Sequence, residues 1–76
     1  MPAKKSAACV ALGAALCELR TEQGYSQERF AHHAGIDRSY YGAVERGEFN
    51  VTLDTIIKIA DGLGTTVAEL CDRANL

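Results

Sequence analysis

Proline is almost missing from this sequence, with one residue in 76, at position 2. Beyond that point nothing removes a backbone donor or wedges a ring into the preceding turn, so helices are free to run. Alternation of apolar and polar residues is also missing at any useful length, which excludes strands and leaves an all-α fold. No apolar run is long enough to cross a bilayer. Three cysteines, Cys9, Cys17 and Cys71, are odd in number and form no CxxC pair. They suit reduced thiols in a cytoplasmic protein, with an intermolecular disulfide or a redox switch as the minor alternative. A basic excess is lacking too: 8 Lys and Arg against 10 Asp and Glu give a formal net charge of -2. A nucleic-acid partner would therefore meet a few cations gathered on one face, with modest non-specific attraction.

The residues present are those of a small globular unit, 47% hydrophobic and 24% charged. No linker, repeat or low-complexity block divides it, so residues 1–76 are expected to form a single domain of five helices. The first helix should start after Ser6 and run to about Glu22, with Gly24 closing it. Lys4-Lys5 followed by the Ala-rich stretch to Cys17 imitates a secretory leader. Leu12, Leu16 and Leu19, however, fall at i, i+4, i+7 and continue in phase past the supposed cleavage point, as an amphipathic helix requires. Ser26 caps a second helix ending at Ala34-Gly35, and Asp37 caps a third running to about Arg46, before Gly47. Thr52 opens a fourth, with Leu53, Ile56, Ile57, Ile59, Ala60 and Leu63 on a broad apolar face and Gly62 inside it. Gly64 ends that helix, and Thr66-Val67-Ala68-Glu69 reads as a capping box opening the fifth.

The stretch from Ser26 to Gly47 carries the functional signal. Two short helices meet at a glycine turn, which is the layout of a helix-turn-helix whose second helix lies in the major groove of DNA. Phe30, Ala34, Ile36, Tyr41 and Val44 are expected to face inward. Arg38, Ser39, Tyr40, Ala43 and Arg46 are expected to face outward.

Leu19-Arg20, Ser26-Gln27, Ala31, Gly35, Glu45-Arg46-Gly47 and Leu63-Gly64-Thr65-Thr66 resemble the lambda-repressor-like (Cro/CI, XRE) family of DNA-binding domains. The resemblance covers about Leu12 to Leu70. The run from Asp37 to Leu53 is similar to the small controller proteins of restriction–modification systems. This resemblance implies that Gln27 holds a DNA phosphate and braces the reading helix, and that Arg38 and Ser39 reach base edges, with Ala43 one turn on. It also implies an ion pair between Arg20 and Glu45. Tyr40, Arg46 and Asn50 are the expected backbone contacts, and amides at the starts of the second and fourth helices are further phosphate donors. The chain departs from the family after Gly47. Glu48-Phe49-Asn50 stands where basic residues are frequent, and Val51 where proline is, and both departures predict weaker binding per subunit.

One small reading helix buries too little surface to be both tight and specific, so a homodimer on a pseudo-palindromic operator is expected. Val67, Cys71, Ala74 and Leu76 are the candidate contact between subunits. Enzymatic activity is not expected: no G-x-S-x-G motif occurs, and a helical chain this small offers no evident pocket. Adjacent His32 and His33 point about 100° apart on a helix and cannot share a metal. No cofactor, small-molecule ligand or membrane is expected. The alternative reading is a protein-interaction module, such as an antitoxin or adaptor, which the acidic balance and Glu48 favour.

Overall fold

The computed structural model describes residues 6–48 and 50–76, so Lys4-Lys5 and Phe49 lie outside the described residues. Among the described residues there are five helices and no strand: α1 (Ala7–Glu22), α2 (Gln27–Ala34), α3 (Arg38–Glu45), α4 (Leu53–Leu63) and α5 (Val67–Arg73). Each begins where a short polar side chain replaces a missing backbone partner. Ser6 accepts from the amide of Cys9, Ser26 from Arg29, Asp37 from Tyr40, Thr52 from Thr55 and Thr66 from Glu69.

The turn between α2 and α3 depends on Gly35, whose φ of 71° lies in the left-handed region. Its amide and that of Ile36 return to the carbonyls of His32 and Ala31, which sets α3 across α2. Phe30 is wholly buried at the crossing, its ring 5.1 Å from that of Tyr41 and 5.5 Å from that of Tyr25. Leu16, Ile56, Ile59, Leu63 and Leu70 complete a core drawn from every helix, with Leu12 and Leu19 packed against it as the leucine phase of α1 requires.

Two glycines are needed for close approach rather than for turning. A Cβ on Gly13 would run into the backbone carbonyl of Glu45 and stand 2.8 Å from that of Val44, so α1 lies directly against the end of α3. A Cβ on Gly62 would stand 3.1 Å from the Phe30 ring.

Two expectations about facing are corrected. Ala43 does not face outward; it is buried at 4% exposure. α1 packs against the last turn of α3, with Gly47 pressed against Val10, and the Glu48 amide closes the helix end by donating to the Ala43 carbonyl at 3.0 Å. On α4 the apolar face is wider than the core it meets, leaving Leu53 and Ile57 exposed at 67% and 42%. Among the described residues, no helix is long and apolar enough to cross a membrane.

Candidate nucleic-acid interface

The reading face is built outward from one buried carboxylate. Glu45, at the end of α3, accepts from Arg20 Nε at 2.7 Å and Arg20 Nη2 at 3.1 Å. It also accepts from Gln27 Nε2 at 2.8 Å and from the Tyr41 hydroxyl one turn earlier on α3. Arg20 spends its remaining nitrogen on the Tyr25 carbonyl at 2.7 Å, tying α1 to the loop before α2. The two charged side chains are only 11% and 3% exposed, so the pair is a buried one.

Burial pushes the Glu45 carboxyl upward, but the hydrogen bonds from Arg20, Tyr41 and Gln27 outweigh it and hold the group below the usual carboxylate range. The hydrogen bond to Glu45 raises Arg20, against its own desolvation. Burial, then the same carboxylate, pushes the Tyr41 phenol well above its ordinary value. All three groups therefore keep their neutral-pH protonation states, and three helices are locked at one point. Tyr41, read from sequence as an apolar contact, is a polar member of this network. The signal that could have found it is its i, i+4 spacing to Glu45.

Gln27 also turns toward the surface. With Arg38, Ser39, Gly42 and Arg46 it lines a shallow cleft between the start of α2 and the outer edge of α3. Gly42 forms its floor, where a Cβ would stand 3.2 Å from Arg46 Nη1 and 3.4 Å from Gln27 Oε1. Four of the seven predicted DNA contacts thus meet in one place, and Arg38 stands free of the surface at 69% side-chain exposure. Tyr40 is half-buried, packed on the core beside the cleft. Asn50 is exposed, and its Oδ1 lies 3.6 Å from the Cys9 thiol of α1. Ala43, buried, has no surface to offer a base.

Neither edge of the cleft is purely basic. Arg46 Nε lies 2.8 Å from Glu48 Oε2, and this hydrogen bond raises the Arg46 pKa. Arg38 Nε stands 3.9 Å from Glu28 Oε2. His32 and His33 are both exposed, with the His33 ring stacked 5.3 Å from that of Tyr25. Among the described residues, no group of three or more His, Cys, Asp or Glu could hold a metal ion.

A known family model, HTH_3, described as helix-turn-helix, matches residues 18–70 of this chain. The chain belongs to the HTH_3 helix-turn-helix family. Control protein C.MunI of a Mycoplasma species is 44% identical over 62 residues, covering 80% of this chain and 84% of that protein. Control protein C.SmaI of Serratia marcescens is 46% identical over 57 residues, covering 75% and 68%. Among solved structures, the restriction–modification controller C.AhdI of Aeromonas hydrophila superposes with a TM-score of 0.82 at 49% identity, covering 86% of this chain and 98% of that one. As a member of this HTH_3 family the chain is a DNA-binding transcriptional regulator and not an enzyme. The lambda-repressor-like, all-α architecture expected from the sequence is the one found.

Proposed function

We propose that the protein is a cytoplasmic controller of a restriction–modification system, binding a pseudo-palindromic operator as a homodimer with α3 in the major groove. The observation that carries this reading is the outer edge of α3: Arg38 and Ser39 project from a helix whose far end is clamped by the buried Glu45 network. A clamped helix presents its side chains without reorganising on binding, which favours specific affinity. Arg38 donates two hydrogen bonds to guanine O6 and N7, an acceptor pair its planar fork matches, and Ser39 meets the neighbouring base. Gln27 and Arg46 hold phosphates on either side and fix the register, with Tyr40 and Asn50 as further backbone contacts.

The controller role is supported by the likeness to C.MunI, C.SmaI and C.AhdI, each of which is described as a control protein. The subunit contact is assigned to the outer flank of α5, at Cys71, Ala74 and the exposed Leu76, with Val67 shared between this contact and the subunit's own core. Selection of bound sites from random duplex DNA tests the reading. A two-fold symmetric motif with half-sites about one helical turn apart, roughly 34 Å, is the expected result. A motif without symmetry would remove the dimer, and no motif at all would remove base reading by α3.

A further inference from the structure

Both arginines that rim the cleft face a carboxylate of their own chain. Glu48 meets Arg46 through two oxygens, at 2.8 and 3.3 Å, and Glu28 stands 3.9 Å from Arg38. The four side chains are exposed, between 39% and 75%, and exposed pairs add little to fold stability. The Arg46–Glu48 pair joins residues only two apart in sequence. The exposed Arg73 cluster differs, because its contacts with Glu18 and Glu22 tie α5 to α1. What Glu28 does change is the field at Arg38, where it sets a negative charge beside the positive one.

We propose that Glu28 is a specificity-determining residue, acting as an internal competitor for DNA phosphate at Arg38. The inference rests on the reading of α3 as a DNA-reading helix. On random DNA, binding comes almost wholly from phosphates. Arg38 must then leave Glu28 to reach one, and that carboxylate remains beside the DNA backbone to repel it. On the operator, Arg38 instead finds the paired acceptors of a guanine, whose geometry a loose 3.9 Å contact with Glu28 cannot match. Glu28 therefore subtracts more from random DNA than from the operator, and a weakly basic surface becomes a selective one. An acidic chain with few cations gains discrimination this way at the cost of raw affinity.

The test is a salt titration of the Glu28→Gln protein on random duplex and on the selected operator. Asp72→Asn on α5 is the control for net charge, because α5 packs on α1 and α4. With a salt slope of about -0.9 per phosphate, Glu28→Gln should raise random-duplex affinity about eightfold at 0.1 M salt and steepen the slope by about 0.9. Operator affinity should rise less, so the specificity ratio falls, while Asp72→Asn moves neither by more than about twofold because distant charges are screened. A purely structural role, such as Glu28 favouring the N-terminus of α2, would lower affinity on both duplexes and overturn the proposal. Equal gains on both duplexes, or none on random DNA, would overturn it too while leaving the DNA-reading helix intact. Failure of parent and variants alike to bind any duplex in dilute salt would instead defeat that helix assignment, and the proposal with it.

Discussion

Glu45 shows how much one side chain decides. It accepts four hydrogen bonds from three other residues, and loss of its charge leaves a buried guanidinium without its partner. Glu45→Ala should cost about 3–5 kcal/mol, enough to unfold much of a domain this small, and urea unfolding followed by circular dichroism measures it. The pH dependence has a definite sign. A carboxylate held below its unfolded value of 4.5 contributes stability above that value, and the contribution is lost as pH falls through the lower, folded value. The parent's urea midpoint should therefore drop below about pH 4.5, and that of Glu45→Gln should drop less steeply. Arg38→Ala belongs to the same scale but to another property. It should leave the fold intact and cost about 1–3 kcal/mol of discrimination at one base pair per half-site, read by competition between single-base operator variants. An equal loss on every sequence would make Arg38 a phosphate ligand instead.

Helices and turns add constraints that no single contact contains. At Gly35 there is open space for a Cβ but the backbone sits at φ 71°, so Gly35→Ala should cost about 1–2 kcal/mol through conformation alone. Gly35→Asn should cost less, because asparagine tolerates the left-handed region. Gly62 presents the opposite case. Its backbone is ordinary helix, and alanine would gain about 1 kcal/mol by helix propensity. The Phe30 ring, 3.1 Å from the new methyl, is fully buried between Tyr25 and Tyr41 and has nowhere to move. Gly62→Ala should therefore lower the melting temperature, and an increase would show that α2 and α4 can part slightly.

For the whole molecule, size sets the mechanism. The domain measures 33 × 25 × 20 Å and carries one reading helix, so a single copy cannot place two such helices one DNA turn apart. Analytical ultracentrifugation at tens of micromolar should find a dimer that Leu76→Glu dissociates, because a charge placed in an apolar contact is desolvated without a partner. Persistence of the dimer in that variant would move the contact elsewhere, and the exposed Leu53 and Ile57 of α4 are then the place to look.

Local chemistry was enough to mark out the helices, because caps, glycine stops and apolar periodicity act over a few residues. Ser6, Ser26, Asp37, Thr52 and Thr66 each declare a start, and Gly35 and Gly64 each declare an end. The family pattern also brought out Arg20, Gln27, Arg38, Ser39 and Glu45 as the residues to watch. Periodicity could not say which side of a helix would be covered by distant chain. Ala43 is buried, on a helix end that α1 packs against, while Leu53 and Ile57 stayed outside a core already filled. Nor could it reveal that Gly13 lets α1 touch the end of α3, or that Tyr41 joins the Glu45 network. These outcomes depend on where elements far apart in sequence come to rest against one another. Only packing in three dimensions supplies that information, so the helices were the sequence's to determine and their buried faces were decided by the tertiary structure.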